Sequence, residues 1–364
     1  MSMPETQRAT ADRASEETAA ATTDAPVTEM RPLAREVLDR GWYPVDLVIL
    51  AYLVMTGLLI LFSPFGEEAK TSYVALHFVF LAGVLLMHFA NRRAPWPLHF
   101  FRHAYAFVSL PFFYDSVQHL NRLTTSRYFD GWLVKQEQLI FGCQPSQILY
   151  SALPSIVLSE FLHLTYLAYV LLTPVVALTL YFSRRFENLK EFATTVMGTF
   201  FFCYVIFTVF PVRGPFYYFG PIDPYAKGLL FPQVVHNLLM RAASVGTAFP
   251  SSHVAASVAI WLVSRRYLRR LSHVILVIAI GIFVGTVYGG FHYAVDALAG
   301  VVVGVACGLL GPKLHAWIRT LPGMALPAAE AAVRLPRPRR LWHRVSALTK
   351  RDAVTRRDFV DGID

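Results

Sequence analysis

Charged residues are scarce in this sequence. Only 16% of its 364 residues are Asp, Glu, Lys or Arg, whereas soluble domains carry roughly 25%. Apolar residues make up 55% of the chain, and several apolar runs approach the roughly 20 residues that a helix needs to cross about 30 Å of hydrocarbon. The composition therefore excludes an ordinary soluble domain and predicts an integral membrane protein.

Cysteine is also rare. Cys143, Cys203 and Cys307 are widely spaced, and two of them lie inside apolar runs, so the sequence excludes a disulfide framework and a zinc motif and favours packing as small apolar side chains. The first residues, to about position 30, are rich in Ala, Thr and Glu and lack an apolar stretch. We expect them to be disordered and not a cleaved signal peptide.

The apolar runs predict an all-α, polytopic transmembrane bundle. About eight membrane helices are expected, at 45–62, 73–89, 104–117, 161–182, 194–210, 254–263, 274–288 and 294–310. Between them, residues 121–146 mix charged and aromatic residues, which is typical of an amphipathic helix lying at a membrane interface.

The net charge of +9 comes from Lys and Arg placed mainly between apolar runs and in the C-terminal tail. This placement fits membrane topology better than nucleic-acid binding. The positive-inside rule makes the basic loops cytoplasmic, together with both chain ends; these loops contain Arg92, Arg93 and Arg102, then Arg184, Arg185 and Lys190, then Arg265, Arg266, Arg269 and Arg270. The loop with Glu67, residues 118–160 and 212–252, and the turn at 289–292 are then predicted on the opposite, non-cytoplasmic face.

One candidate element is Gly246-Thr-Ala-Phe-Pro-Ser-Ser-His253, which ends a polar loop and opens an apolar helix. Ser251 is a suitable N-cap. The unpaired N–H groups and positive dipole of a helix start attract anions such as phosphate, and Ser252 and His253 add further donors. Alternatively, the element is an N-cap followed by an interfacial histidine.

A second element, His292-Tyr-Ala-Val-Asp296, also begins an apolar helix. Four residues are about one helical turn, so His292 and Asp296 share a face. A carboxylate beside an imidazole fixes its tautomer and stabilises its cation. The alternative is a structural His–Asp pair.

A third element is Phe210-Pro-Val-Arg-Gly-Pro215, at the predicted outer end of a helix. The guanidinium of Arg213 suits phosphate oxygens, although an arginine at a helix end also reaches lipid headgroups without any catalytic role. All three elements fall on the same predicted face. Together they supply a phosphate clamp, a proton donor and an oriented nucleophile.

The motifs Pro250-Ser-Ser-His253 and His292-Tyr-Ala-Val-Asp296 resemble those of the phosphatidic acid phosphatase type 2 superfamily of membrane enzymes, over about 161–310. The resemblance implies a six-helix core in which His292 forms a phosphohistidine, Asp296 orients it and His253 protonates the leaving group. It further implies that Arg213 and Ser251, with Ser252 beside it, bind the phosphoryl group, and that no metal or other cofactor is required.

The sequence departs from the family pattern at two cations. No Lys precedes Arg213 in the first motif, and Thr286 stands where the family has an Arg six residues before the nucleophile. These departures, with the short pieces Phe129–Trp132 and Phe141–Pro145, resemble the branch that contains inositol phosphorylceramide synthases. That branch implies transfer of a phospho-headgroup between lipids.

We therefore expect a lipid phosphatase or phosphotransferase that acts on a phospholipid, prenyl phosphate or similar lipid in the bilayer, with its active site on the non-cytoplasmic side of the plasma membrane. No nucleic-acid partner is expected, and the oligomeric state is left open. The expected organisation is a disordered cytoplasmic segment at 1–40, transmembrane helices at 41–118, an interfacial segment at 119–158, a catalytic transmembrane core at 159–316 and a basic cytoplasmic tail at 317–364.

Two other classes of function stay open. The missing cations suit a catalytically inert lipid-binding or transport protein on the same scaffold. Histidines in or beside apolar runs would suit a haem or metal protein, but no pair of them is convincingly spaced for axial ligation, and isolated membrane histidines more often make interhelical hydrogen bonds; these are His77, His88, His103, His119 and His163.

Overall fold

The structure, a computed structural model, describes residues 36–37, 41–63, 67–89, 93–94, 96–220, 228–242 and 244–324. The disordered segment predicted at 1–40 and the basic tail predicted at 317–364 therefore lie almost entirely outside the described residues.

Twelve α-helices make up the described part of the chain, which confirms the all-α prediction. Two strands of two residues each, β1 (Glu36–Val37) and β2 (Arg93–Ala94), pair antiparallel. The helices are α1 (Pro44–Phe62), α2 (Glu67–Phe89), α3 (Trp96–Leu120), α4 (Asp130–Phe141), α5 (Pro145–Ala152), α6 (Ile156–Phe182), α7 (Phe186–Val209), α8 (Pro215–Tyr218), α9 (Phe231–Ala242), α10 (Ser252–Tyr267), α11 (Arg269–Tyr288) and α12 (Ala294–Ile318).

Each of the eight predicted apolar runs coincides with one helix. Within the described residues, five helices are long and apolar enough to cross a membrane, namely α1, α6, α7, α11 and α12. The remaining three runs lie in α2, α3 and α10. The chain is thus an integral membrane protein, while eight crossings remain a prediction.

Helix α7 is the most buried of the five spans and forms the centre of the bundle. It packs against α1 and α3 on one side and against α10 and α12 on the other. Aromatic rings fill the first contact, where Tyr52 of α1 stacks on Phe201 of α7 with ring centroids 4.2 Å apart. The N-terminal helices therefore share one apolar core with the rest of the bundle.

Helices α10 and α12 approach closely because α12 presents glycines at helical spacing. A Cβ at Gly304 would lie 2.5 Å from the carbonyl oxygen of Ala255, and one at Gly300 would lie 2.7 Å from that of Ser251. Small residues permit this backbone contact between membrane helices. The two helix starts are consequently side by side, and the N–H of Ser251 donates to the carbonyl of Asp296 at 3.0 Å.

The basic loops gather at one end of the bundle, as the sequence predicts. Arg185, between α6 and α7, donates to the carbonyl of Tyr267 at the end of α10, and Arg319, after α12, pairs with Glu187. The three candidate elements lie at the opposite ends of these same helices. Which side of a bilayer each end faces remains a prediction.

Arg102 and Lys190 do not lie in loops, contrary to the sequence-based placement. Arg102 is inside α3, is 3% exposed and donates to both carboxylate oxygens of Asp46 in α1, at 2.9 and 2.5 Å. Lys190 is inside α7 and donates to Glu187 at 3.1 Å. Buried cations of this kind persist only when paired, so counting them as loop charges was wrong.

The predicted interfacial segment consists of a 3-10 turn at Asn121–Leu123 followed by α4 and α5. Helix α4 is amphipathic, but it buries its acidic residues and exposes apolar ones. Asp130 and Glu137 are at most 1% exposed, whereas Trp132 is 49% and Leu139 78% exposed. The exposed apolar side of such a helix can face lipid, while its buried carboxylates can accept hydrogen bonds from the rest of the protein.

We predict that Gly304→Ala destabilises the protein, because the added methyl group would meet backbone atoms of α10 that have no rotamer to change. Overpacking of this kind costs about 1–3 kcal/mol. The matched control is Gly198→Ala in α7, where a Cβ meets nothing within 4 Å and helix propensity favours Ala by about 1 kcal/mol. Thermal unfolding in detergent should show a lower midpoint for Gly304→Ala alone; equal midpoints for the two variants would refute the packing argument.

Candidate active site

An open cleft lies at the end of the bundle where the three candidate elements meet. Its walls include Arg213, His253 and His292, which the sequence predicted as site residues. Further lining residues come from α3, α6, α8, α9, the loop before α10 and the turn before α12, namely Tyr114, Tyr166, Phe216, Tyr217, Leu239, Ser244, Thr247, Ala248 and Phe291.

His292 follows α11 and precedes α12 in a tight turn. Its backbone N–H donates to the carbonyl of Thr286 at 3.0 Å, which anchors the turn to the last part of α11. The side chain is 5% exposed. Burial lowers the pKa of His292 to about 4, although the carbonyl of Ala248 opposes this shift, so the imidazole is neutral at pH 7 and able to act as a nucleophile.

Asp296 lies directly behind His292, one helical turn into α12. Its Oδ2 atom is 3.5 Å from Nδ1 of His292 and accepts the N–H of Tyr293 at 3.0 Å. A carboxylate in the first turn also complements the helix dipole. The 3.5 Å separation exceeds an ordinary hydrogen bond, as is common in catalytic pairs without substrate.

His253 stands opposite His292, with ring centroids 5.6 Å apart. Nε2 of His253 lies 3.3 Å from the hydroxyl of Tyr166, whose ring also stacks on the imidazole with a centroid separation of 5.0 Å. Tyr169 covers the ring from another direction. His253 is therefore held by α6, and its ring meets that of His292 edge to face at the wall of the cleft.

The two predicted serines are buried at the start of α10 and do not line the cleft. Ser251 is the N-cap, as predicted, and its hydroxyl accepts the N–H of Val254 at 3.5 Å. Ser251 is 0% and Ser252 4% exposed. Their contribution to an anion site is thus confined to the helix start that they form.

Arg213 reaches the cleft from the loop after α7 and is 35% exposed. This loop pairs with the loop before α10, since the N–H of Ala248 donates to the carbonyl of Val212 at 2.9 Å. Gly214 has φ +90°, and a Cβ there would lie 2.9 Å from the carbonyl oxygen of Phe291. Only glycine allows the arginine loop to approach the His292 turn this closely.

Asp130 contacts this arginine loop and was not among the predicted site residues. Its carboxylate accepts the N–H groups of Arg213 and Gly214 at 3.2 and 3.0 Å, the guanidinium Nε of Arg213 at 3.4 Å and the hydroxyl of Tyr293 at 3.3 Å. Asp130 belongs to the Phe-Asp-x-Trp piece of the sequence, but the mixture of charged and aromatic residues around it predicted only an amphipathic helix at the membrane interface.

Glu137 is the second missed carboxylate. Its Oε1 atom accepts the N–H groups of Ala294 and Val295, so this side chain caps α12 from outside the helix. Burial raises the pKa of Glu137 to about 7, with the two N–H donors opposing the shift and the nearby Asp296 adding to it.

Position 286, where the family has an arginine, is occupied by a threonine whose side chain does not line the cleft. Thr286 is fully buried and donates its hydroxyl to the carbonyl of Phe283, within α11. Arg213 is the one Lys or Arg among the residues that line the cleft. The other polar groups there are histidines and hydroxyls, and the hydroxyl of Tyr114 lies 3.2 Å from that of Thr247.

The histidines suggested for metal binding instead meet polar groups of the protein. Nε2 of His77 lies 2.8 Å from the hydroxyl of Thr56 in the neighbouring helix, and Nδ1 of His163 lies 2.7 Å from the carbonyl of Ser159. In the described part of the chain, no group of three or more His, Cys, Asp or Glu is arranged to hold a metal ion.

The fold and cleft thus define a helical membrane protein with a histidine-containing pocket at one end of its bundle. Residues 132–310 match the sequence model of the PAP2 superfamily. A PA-phosphatase related-family protein of Dictyostelium discoideum is 35% identical over 131 residues, which cover 34% of this chain and 24% of the relative, so the similarity spans about a quarter of that protein. No solved structure matches the chain.

The segment 132–310, 179 of the 364 residues, is therefore similar in sequence to the PAP2 superfamily. All six predicted site residues fall within this segment, and Asp130 lies two positions before it. The similarity to the inositol phosphorylceramide synthase branch remains a prediction.

The neutral state of His292 generates a prediction about pH. Protonation removes the attacking lone pair, so activity is present above the pKa of about 4 and is lost as the pH falls through it. The acid limb of kcat/KM should lie near pH 4 and not near the ordinary imidazole value of about 6.5. Rates measured from pH 3.5 to 8 check this; an acid limb at 6 to 7 would mean that the ring is solvated or paired with a charge during turnover.

Proposed function

We propose that the protein is a lipid phosphoesterase or phosphotransferase that works through a phosphohistidine. The observation that carries this proposal is the pair of facing imidazoles, His292 and His253, with Arg213 on the wall of the same cleft. Nucleophile, proton donor and anion clamp surround one space, which is the arrangement that covalent phosphoryl transfer requires.

The proposed reaction has two steps. The imidazole of His292 attacks phosphorus, and the bond from phosphorus to the lipid oxygen breaks as protonated His253 gives its proton to the leaving alkoxide. Burial by itself favours the neutral form of His253, and we propose that the negative charge of the bound phosphoryl group stabilises the protonated form. Neutral His253 then takes a proton from water or an acceptor hydroxyl, which attacks the phosphohistidine and breaks the N–P bond. Asp296 stabilises the imidazolium that forms on His292.

Water as the second nucleophile gives hydrolysis, and a lipid or polyol hydroxyl gives transfer.

The charge of the cleft indicates which substrate charge it can accommodate. Apart from the proton donor His253, the one cation among the described residues that line the cleft is the guanidinium of Arg213, already bonded to Asp130, and the remaining side-chain donors are neutral hydroxyls and the neutral imidazole of His292. We therefore propose that the cleft takes a phosphodiester with one negative charge in preference to a doubly charged phosphomonoester, because each uncompensated charge in a low-dielectric site is costly.

The location of the reaction is part of the proposal. The basic loops gather at the end of the bundle remote from the cleft, and the positive-inside rule then sets the cleft on the non-cytoplasmic side, with both chain ends inside. The plasma membrane is the proposed location, and the positive-inside rule sets only the orientation within it. The lipid substrate enters from the bilayer, next to the exposed apolar side chains of α4.

The test uses the detergent-purified full chain with three substrates: phosphatidic acid and farnesyl phosphate as monoesters, and phosphatidylinositol as a diester. We expect turnover of the diester to exceed that of either monoester by at least ten-fold, and His292→Ala to reduce every turnover to background. Inorganic phosphate from the monoesters, inositol phosphate from phosphatidylinositol, and new headgroup lipids formed with an added lipid alcohol are followed separately, which distinguishes hydrolysis from transfer.

The control for this assay is His273→Ala. His273 is exposed in the first part of α11, at the end of that helix remote from the cleft, so its loss should leave turnover unchanged. Monoesters turned over faster than the diester would refute the charge argument alone. No His292-dependent product from any of the three lipids would favour the inert lipid-binding or transport protein instead.

A further inference from the structure

The inward face of α4 joins the arginine loop to the nucleophile turn. Asp130 and Glu137 are seven residues apart, so they lie on the same side of the helix. Both are fully or almost fully buried. A buried carboxylate is costly unless hydrogen bonds compensate it, and the donors that compensate these two belong to the elements that carry Arg213 and His292.

Asp130 holds two separate pieces of the site with one side chain. From the arginine loop it receives the N–H groups of Arg213 and Gly214 and the guanidinium Nε. From the nucleophile turn it receives the hydroxyl of Tyr293, the residue that follows His292. All four donors converge on two oxygens, so the relative position of clamp and nucleophile depends on this carboxylate.

Glu137 fixes the same turn from its other side. Its Oε1 atom accepts the N–H groups of Ala294 and Val295, the first two residues of α12. The start of α12 is thereby held by α4, while Asp296 within that first turn is left to face His292. Tyr293 lies between the two anchors, bonded to Asp130 by its hydroxyl.

We infer that Asp130 and Glu137 are positioning residues of the reaction, through which α4 sets the distance between Arg213 and His292. The inference rests on the proposed function. Neither carboxylate lines the cleft, so both act through the groups they bond and not on the substrate.

The chemistry of the donors distinguishes the two anchors. Asp130 uses both oxygens and meets a cation, so Asp130→Asn places an NH₂ group against other donors and leaves the guanidinium without its anion. We expect kcat to fall at least 30-fold, with KM changed less than three-fold, since a misplaced clamp costs transition-state stabilisation.

Glu137 meets backbone N–H groups through one oxygen, which an amide oxygen can replace. Glu137→Gln should therefore retain most activity, and Glu137→Ala should lose at least ten-fold in kcat.

The experiment measures kcat and KM on whichever of phosphatidylinositol, phosphatidic acid or farnesyl phosphate shows His292-dependent turnover, beside the control Asp115→Asn. Asp115 is exposed and bonds only to Gln118 among the hydrogen bonds described, so its variant should match the wild type. A double-mutant cycle with Arg213→Ala follows. If Asp130 acts through Arg213 as well as through Tyr293, the loss in the double variant is smaller than the product of the two single losses.

Fully multiplicative losses in that cycle, an unaffected Asp130→Asn, or equal effects of Glu137→Gln and Glu137→Ala would each overturn the inference. If Asp130→Asn does not fold, Tyr293→Phe serves instead, because it removes only the hydroxyl that joins Asp130 to the nucleophile turn. This variant should lower kcat three- to ten-fold with KM unchanged, and an unchanged kcat contradicts the inference.

If none of the lipids is turned over, the proposed function fails by itself. The same cycle is then measured on the affinity for inorganic phosphate by calorimetry, where additive effects of Asp130→Asn and Arg213→Ala again overturn the inference.

Discussion

The close contact between α10 and α12 determines the geometry of the whole site. Glycines of α12 let its backbone touch that of α10, so the helix that begins with Ser251 and the helix that begins beside His292 start at the same level. A Cβ at Gly300 or Gly304 would lie 2.7 or 2.5 Å from a carbonyl oxygen of α10, so any side chain there would push the two helices apart. The two imidazoles are 5.6 Å apart because the two backbones are in contact.

Much of this arrangement could be predicted from the sequence. The apolar runs predicted the positions of the helices, because a helix that crosses hydrocarbon needs a long, mostly apolar segment, and few other structures produce such a segment. The basic loops predicted which ends of the helices lie on the same face, and that topology placed Arg213, His253 and His292 at one end of the bundle. Ser251 was predicted as an N-cap from its position before the apolar run, and it is one. The glycines at 300, 304 and 308 recur every four residues, a spacing typical of close contact between membrane helices.

Other parts could not be predicted, because they depend on which side of a helix faces the protein. In α4 the mixture of charged and apolar residues indicates an amphipathic helix but not its orientation. Soluble proteins bury the apolar face, whereas here Leu139 is exposed and Glu137 is buried. The same reasoning applies to Arg102, whose partner Asp46 lies 56 residues away. The tyrosines of the cleft come from helices distant in sequence, and no motif connects Tyr114 or Tyr166 to the histidines.

The anchoring of α12 by Glu137 also bears on where the functional unit of this chain begins. A fragment that started at α6 would contain all six predicted site residues and most of the segment that matches the PAP2 superfamily. It would nevertheless lack the acceptor for two N–H groups at the start of α12 and the anion beside Arg213. The smallest fragment that preserves the cleft therefore starts before Asp130, upstream of the first residue that matches the family.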